Sequence, residues 1–220
     1  LSPNKIETIL PSTNNYPKRS EKGISTSSQQ VTFQFHLKKG WNLISIPLSL
    51  SNYSVESVFG PIMEYIEEIW TYDASDPDDP WKLYRPGAPS FVNEITEIDL
   101  SLGYIVIVKE DVTLNITGEP ISSFTFKLYV GWNLIGYPFL ENRSISEFKE
   151  ELGTDYNLIF SYYPENVEFP WKYYSPDEPD SELTELSPGL GYWVYVKDSD
   201  NDMLADMIEV CLLYTSPSPR

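Results

Sequence analysis

The acidic segment from residue 198 to residue 209 has the ligand spacing of a twelve-residue calcium-binding loop. Oxygen ligands would come from Asp198, Asp200, Asp202, the backbone carbonyl of Leu204, Asp206 and Glu209. Hard oxygen ligands at alternating positions converge on one cation because such a loop curls around it. Met203 stands where the loop needs glycine for its sharp turn, which predicts weak affinity. The sequence therefore predicts a Ca²⁺ site; the alternative is a solvated acidic linker.

Tryptophan side chains form a second group that could bind a ligand, because flat aromatic faces stack on sugar rings. Trp81 and Trp171 each follow a proline and precede a lysine, which predicts a turn near the surface. These two are the candidates for carbohydrate binding, with core packing as the alternative. Core packing is the favoured interpretation for the other four tryptophans, which are Trp41, Trp70, Trp132 and Trp193.

Three asparagines head sequons for N-linked glycosylation, at Asn52, Asn115 and Asn142. Asn52 and Asn142 occupy equivalent places before predicted helices, where a glycan would fit an exposed turn. Turn chemistry without any sugar is the alternative.

The sequence offers no pattern typical of catalysis. A second acidic cluster, at residues 73–79, fits a solvated loop, and nothing selects a glycosidase pair among 33 carboxylates. The one histidine, His36, lies on the polar face of a predicted strand, which argues against a catalytic base. We find no nucleophile elbow, phosphate loop or zinc motif, and expect a non-catalytic protein.

The composition of the 220 residues narrows the choice of partners. Lys and Arg total 15 against 33 Asp and Glu, a net charge of −18, which argues against nucleic acid and against anionic membrane surfaces. No apolar run approaches the roughly 20 residues that span a bilayer. Aromatic residues make up 15% of the chain, which indicates a buried core.

Both ends of the chain indicate a piece of a longer protein. The chain starts with leucine, so the lack of a signal peptide says nothing about secretion. Residues 211–220 resemble a translated sequencing adapter; an ordinary flexible tail is the alternative. Without them, 14 basic and 33 acidic residues remain, for a net charge of −19, and the only cysteine is lost.

An internal duplication organises the sequence. Gly40-Trp-Asn-Leu-Ile-Ser-Ile-Pro47 returns as Gly131-Trp-Asn-Leu-Ile-Gly-Tyr-Pro138, and two further blocks return in the same order. The three offsets of 91, 90 and 88 residues leave room only for small loop deletions. We therefore expect a linker at 1–30, repeat 1 at 31–119, repeat 2 at 120–197, the calcium-type loop at 198–210 and the adapter-like tail at 211–220.

Each repeat has the pattern of a β-rich unit. Short alternating or fully apolar runs, separated by proline and glycine, predict strands. Residues 54–59 and 144–152 predict one short helix per repeat, the second with a capping box of Ser144 and Glu147. The last predicted strand of repeat 1, at 112–116, has no counterpart in repeat 2. The predicted fold is mainly β, with two tandem β-sandwich-like or small-barrel repeats.

The repeated blocks resemble a module of archaeal and bacterial secreted and cell-surface proteins. Gly-Trp-Asn-Leu-Ile-Ser-Ile-Pro, Trp-Lys-x-Tyr-x-Pro and a closing Gly-Tyr-Trp-Val carry this resemblance over residues 31–197. Repeat 1 departs from the pattern at Ile105, where the motif has tryptophan, and lacks the Pro188-Gly189 of repeat 2. The resemblance implies an extracellular, non-catalytic module. The acidic segment is similar to thrombospondin type 3 and dockerin calcium repeats.

Two functions are compatible with this sequence. The first is a spacer or adhesion module of a large secreted or cell-surface protein, followed by a calcium-stiffened linker, whose partners are cell-surface proteins or polysaccharide. The second is a carbohydrate-binding accessory region of a secreted hydrolase.

Overall fold

A computed structural model describes residues 29–152, 156–178, 180–198 and 207–213. Most of the predicted linker, residues 1–28, lies outside the described residues. The elements of repeat 1 are β1 (Val31–Leu37), β2 (Gly40–Ile44), α1 (Val55–Phe59), a 3₁₀ helix (Gly60–Tyr65), β3 (Ile66–Tyr72), β4 (Trp81–Tyr84), β5 (Tyr104–Val108) and β6 (Val112–Gly118). Those of repeat 2 are β7 (Ser123–Tyr129), β8 (Gly131–Ile135), β9 (Arg143–Ser144), α2 (Ile145–Leu152), β10 (Tyr156–Tyr162), β11 (Trp171–Tyr174), β12 (Glu185–Leu186), β13 (Tyr192–Val196) and β14 (Met207–Leu213).

The two repeats share one antiparallel architecture. Repeat 1 has a four-stranded sheet in the order β2-β5-β3-β4 and a two-stranded ribbon of β1 and β6. Repeat 2 repeats this with β8-β13-β10-β11 and a ribbon of β7 and β14, and adds the short pair β9 and β12. In each repeat the ribbon and the helix contribute to a core on one face of the larger sheet. The predicted mainly β fold is confirmed as layered open sheets, and no described sheet closes into a barrel.

Strand β14 supplies the counterpart of β6 that the sequence did not provide. It pairs with β7 from Met207 opposite Tyr129 to Leu213 opposite Ser123, as β6 pairs with β1. The expectation that repeat 2 lacks this strand was wrong, because the closing strand lies beyond residue 197 and has no alternating pattern like that of β6. Its last three residues belong to the adapter-like segment.

Both predicted helices form, and a serine side chain caps each of them. The Ser54 side chain accepts a hydrogen bond from the Ser57 amide (3.2 Å) and caps α1. At α2 the Ser144 hydroxyl accepts from the Glu147 amide, and the Glu147 carboxylate accepts from the Ser144 amide, both at 3.2 Å. This reciprocal pair is the predicted capping box.

The Gly-Trp-Asn motif closes the turn from ribbon to sheet in both repeats. Gly40 has φ of +88° and Gly131 has φ of +93°, a region that favours glycine. The buried Asn42 side chain accepts from the Lys38 amide (2.8 Å) and donates to the Lys38 carbonyl (2.7 Å). Asn133 makes the same two bonds with the backbone of residue 129. The asparagine of the motif therefore fixes backbone geometry, and the tryptophan beside it is free to point the other way.

The repeats meet through equivalent contacts that occur twice with their roles exchanged. The Gly103 amide donates to the Leu134 carbonyl (3.1 Å), and the Gly191 amide donates to the Leu43 carbonyl (3.2 Å). Leu43 and Leu134 also form a small buried cluster with Ile105. Because each repeat satisfies backbone groups of the other, the pair forms one unit around a local two-fold relationship.

One position breaks this symmetry. Ser45 of repeat 1 aligns with Gly136 of repeat 2. The buried Ser45 hydroxyl donates to the Leu190 carbonyl (2.7 Å) and accepts from the Tyr137 amide (3.0 Å). Both bonds connect repeat 1 to repeat 2, and we call this contact region between the repeats the joint. At Gly136 an added Cβ would overlap the Leu100 carbonyl oxygen. Glycine is therefore needed on one side of the joint, whereas serine stabilises the other.

Two buried tyrosines hold the loops that precede β5 and β13. The Tyr104 hydroxyl accepts a hydrogen bond from the Asp99 amide (2.7 Å), and the Tyr192 hydroxyl accepts one from the Ser187 amide (2.6 Å). Both side chains are almost fully buried. Burial disfavours the charged phenolate and raises the pKa of both hydroxyls above its ordinary value.

We expect the free energy of unfolding to decrease as the pH rises above about 10, the ordinary pKa of tyrosine. Above that pH the unfolded chain releases the two protons and the folded chain keeps them, so the stability present below pH ~10 is lost. Urea denaturation at about pH 8 and about pH 11 measures this. The double variant Tyr104→Phe/Tyr192→Phe should be less stable at the lower pH, because two amides lose their acceptor, and should depend less on pH. An equally steep dependence in that variant would contradict the assignment.

Candidate functional site

The sheet faces opposite the two cores carry an open aromatic cleft of about 430 Å³. We define the aromatic cleft by its six lining side chains, which are Tyr72, Trp81, Trp132, Phe160, Trp171 and Trp193. The first two come from β3 and β4 of repeat 1, and the other four from β8, β10, β11 and β13 of repeat 2. The cleft is therefore a product of both repeats, and its volume lies in the range of small-molecule sites.

Strand alternation places these rings on the outer face. In β3, Ile69 and Thr71 are buried, whereas Trp70 and Tyr72, which alternate with them, are only half-buried. In β10, Ile159 and Ser161 are buried, and Phe160 and Tyr162 are half-buried. Successive side chains of a strand point to opposite faces of the sheet. Because these strands carry apolar side chains on the outer face as well as on the core face, the sheet is apolar on both faces.

Four tryptophans remain substantially exposed. Trp41 is 53% exposed, Trp81 42%, Trp132 40% and Trp171 45%. The predicted surface position of Trp81 and Trp171 is thus confirmed, although both begin strands. Core packing was wrong for Trp41 and Trp132, because Asn42 and Asn133 take the inward position of the motif and turn the tryptophan outward. Trp70 and Trp193 pack against the small cluster between the repeats.

Ring contacts connect the rings of the two repeats. Trp193 of repeat 2 lies 5.3 Å from Tyr72 and 5.8 Å from Trp81 of repeat 1, measured between ring centroids. Trp193 also lies 6.1 Å from Trp132, which is 6.0 Å from Phe160. Most of these contacts are tilted or edge-to-face, the arrangements that aromatic quadrupoles favour. The rings therefore hold one another in fixed orientations while leaving faces accessible.

The positively charged side chains near the cleft, on or beside β4 and β11, already form ion pairs, hydrogen bonds or cation–π contacts within the protein. The Lys82 ammonium pairs with Asp76 at 2.8 Å and with Asp79 at 3.4 Å. Arg85 donates from its Nε to Glu68 at 3.0 Å. In repeat 2 the Lys172 ammonium lies 4.4 Å from the ring centroid of Tyr163, in cation–π geometry.

The six residues that line the cleft carry no charge. The Lys82 ammonium also lowers the pKa of the Asp76 carboxyl by donating a hydrogen bond to it. An anionic ligand would therefore meet aromatic rings and carboxylates, and a neutral ligand suits the surface better.

A polar cavity of about 400 Å³ adjoins the aromatic cleft and shares Tyr72 with it. Asp73 accepts hydrogen bonds from the backbone (2.9 Å) and hydroxyl (2.6 Å) of Ser75. Asp99 accepts the same two bonds from Ser101, at 2.8 and 2.7 Å. We call this cavity the joint pocket, because it is lined by loops of repeat 1 and by strands β7 and β8 of repeat 2.

The sequence analysis missed Tyr72, Trp132, Phe160 and Trp193 as part of one surface. The available signal was the spacing of aromatic residues at alternate positions on both sides of buried residues in the same strands. A sheet whose strands are apolar at every position must be covered on both faces or expose one. That signal does not say which face is exposed, so the structure was needed to decide.

The three sequon asparagines are all exposed. Asn52 precedes α1 and accepts a hydrogen bond from the Ser54 amide (2.9 Å), a local turn. The Asn115 oxygen accepts from the Gln34 side chain (2.9 Å) in the ribbon of repeat 1. The Asn142 nitrogen, where a glycan would attach, donates to Glu185 (2.8 Å). Glycosylation stays a prediction at each of the three.

The predicted calcium ligands fall largely on residues whose structure is not described. Asp200, Asp202, Leu204 and Asp206 lie outside the described residues. Asp198 follows β13, and the backbone of Glu209 lies in β14 opposite Lys127. Within residues 29–152, 156–178, 180–198 and 207–213, no group of three or more His, Cys, Asp or Glu side chains could hold a metal ion. The Ca²⁺ site therefore stays a prediction of the sequence.

His36 is exposed, and its ring nitrogen lies 3.4 Å from the Thr113 hydroxyl. Two residues of the second acidic cluster, Asp76 and Asp79, pair with Lys82, and Asp73 forms the turn with Ser75 described above.

Helices of the described residues are too short or too polar for any of them to cross a bilayer. Comparison with known proteins gives no relatives: no family profile, no curated protein and no solved structure matches this chain.

Proposed function

We propose that this chain is a non-catalytic extracellular binding module that attaches to a neutral polysaccharide through the aromatic cleft. In this role it would serve as an adhesion or spacer unit of a secreted or cell-surface protein. The observation that carries the proposal is the cleft itself, in which both repeats present tryptophan rings that remain 40% to 45% exposed. Large exposed aromatic surface is unfavourable in water, and its retention on the surface of this chain supports a role in ligand binding.

Sugar chemistry fits this surface. One face of a pyranose ring presents C–H groups, which pack against the electron-rich face of an indole or phenol ring. Tryptophan and tyrosine also supply an N–H or O–H at the edge, where sugar hydroxyls lie. The engaged cations around the cleft and the net charge of −18 favour a neutral over an anionic polysaccharide.

The direction in which carboxyl pKa values are shifted agrees with a non-catalytic role. A hydrogen bond from the Trp70 indole, and a second one from Arg85, lower the pKa of the Glu68 carboxyl. Lys38 similarly lowers the pKa of the Asp111 carboxyl. A general acid for glycosidic cleavage needs the opposite shift. In the second hypothesis, an accessory region of a secreted enzyme, the hydrolase itself would lie outside this sequence.

The spacer role rests on the joint. Backbone hydrogen bonds cross between the repeats in both directions, so the pair transmits force as one body and not as two modules on a flexible hinge. Calcium in the 198–209 segment would add stiffness after repeat 2, as the sequence predicts.

Affinity gel electrophoresis of the full chain tests the proposal. Gels contain one polysaccharide each, either neutral (hydroxyethyl cellulose, glycol chitin, xylan or starch) or anionic (alginate or polygalacturonate). We expect retarded migration in at least one neutral gel and in neither anionic gel. Migration unaffected by every neutral polymer would contradict the proposal and would favour a protein segment as the occupant of the cleft.

A further inference from the structure

We propose that one polysaccharide chain runs from the aromatic cleft, past Tyr72, into the joint pocket, so that the module binds along a polymer and not at its end. This inference rests on the proposed function. Its starting point is that the two cavities adjoin at Tyr72. Tyr72 lines both, and each has a volume in the range of a ligand site, about 430 Å³ for the cleft and about 400 Å³ for the joint pocket.

The two cavities offer complementary chemistry. The cleft provides ring faces for the C–H surface of a sugar. The joint pocket provides hydroxyls and the Lys127 ammonium, which can donate hydrogen bonds to sugar hydroxyls, and carboxylates, which can accept them. The hydrogen bonds from Ser75 and Ser101 go to Oδ1 of Asp73 and Asp99, and the described residues donate no bond to either Oδ2. These loops are thus held in place with acceptor atoms to spare, which lowers the cost of ordering them on binding.

The other side of the joint does not offer the same path. An equivalent cavity lies there between the β1–β2 region and the loops around Pro164 and Pro188, and its volume is only about 180 Å³. In its wall the Gly189 backbone approaches the ring of Phe33 so closely that a Cβ would lie 2.6 Å away. Tyr162, which corresponds to Tyr72, does not line this cavity. The duplication therefore yields one cavity that adjoins the aromatic cleft, on the side of Tyr72, and not two.

A matched pair of variants separates the two sides. Thr125 lies on β7 in the wall of the joint pocket, and Gln34 is its counterpart on β1 in the wall of the smaller cavity. Both side chains are exposed, and tryptophan is well tolerated on a strand. Thr125→Trp should fill the joint pocket, and Gln34→Trp should fill only the equivalent cavity on the far side.

Titration calorimetry of the full chain with cello-, xylo-, chito- and malto-oligosaccharides of increasing length tests the inference. For the series that binds, affinity should increase with length beyond the shortest bound oligosaccharide. Thr125→Trp should lower the affinity for the longest one by about tenfold and leave the shortest unchanged, because only the joint pocket is blocked. Gln34→Trp should change neither.

Four results would overturn the inference. Binding by the unchanged chain that is independent of length would overturn it and leave the proposed function standing. An equal effect of Thr125→Trp on short and long ligands, or no effect on either, would do the same. Failure of all four series and all neutral polymers to bind would overturn both.

Discussion

Replacing Gly136 by alanine is expected to lower the free energy of unfolding by about 3 kcal/mol, the upper range for overpacking a tight site. An ideal Cβ at this position would overlap the Leu100 carbonyl oxygen and lie 2.9 Å from that of Leu102. Both obstacles are backbone atoms, which cannot rotate away as a flexible side chain could. The Gly136 amide also donates to the Ser101 carbonyl (2.8 Å), and the shift that relieves the overlap would stretch this bond.

Urea denaturation followed by tryptophan fluorescence measures this loss, and Gly60→Ala is its matched control. Gly60 has φ of −47° between α1 and the 3₁₀ helix, and an added Cβ there meets nothing within 4 Å. We expect Gly60→Ala to change the free energy of unfolding by no more than about 1 kcal/mol, in the stabilising direction. Equal stability of Gly136→Ala and the unchanged chain would mean that the repeats are not packed together as described.

Replacing Trp81 or Trp132 by alanine is expected to weaken binding of the neutral polysaccharide that retards the chain in affinity gels. The expected loss of affinity is about 30-fold or more, the effect of losing a central aromatic contact. Trp81 comes from repeat 1 and Trp132 from repeat 2, and both line the cleft. Each ring also orients Trp193, at centroid distances of 5.8 and 6.1 Å, so its loss frees a second ring. Sensitivity to both variants follows from a site that the two repeats build together.

Trp41→Ala is the matched control for binding. Trp41 is the most exposed tryptophan at 53% and does not line the cleft, although it occupies the same motif position as Trp132. We expect its replacement to change affinity by less than about fivefold, the range for residues outside the centre of an interface. Affinity gels of the three variants give the comparison. A larger loss with Trp41→Ala than with Trp132→Ala would place the ligand on repeat 1 and contradict the assigned site.

Local signals in the sequence predicted much of the fold. The capping box of α2 and the alternation in β1 and β6 depend on neighbours a few residues away, so a single sequence reveals them. The motif Gly-Trp-Asn recurs in both repeats, and the structure explains its asparagine through two backbone bonds in each repeat.

Features that depend on distant pairings could not be predicted in this way. Strand β14 completes a ribbon whose other strand lies almost 80 residues earlier, and an acidic segment separates it from the rest of repeat 2. The joint depends on backbone groups, such as the Leu43 and Leu134 carbonyls, which carry no sequence signature. The exposure of Trp41 and Trp132 depends on which face of an apolar sheet packs on the core, and alternation alone leaves both faces possible.

The indole N–H signals of the six tryptophans test the central claim most directly. In a ¹⁵N-labelled full chain each tryptophan gives one such signal, and single Trp→Phe variants assign them. Trp41 serves as an internal reference, because it does not line the cleft. Addition of an oligosaccharide of the polymer that retards the chain in affinity gels should shift the signals of the four cleft tryptophans, which are Trp81, Trp132, Trp171 and Trp193. The signal of Trp41 should stay in place. Unchanged cleft signals at saturating ligand, or a shift confined to Trp41, would contradict the account.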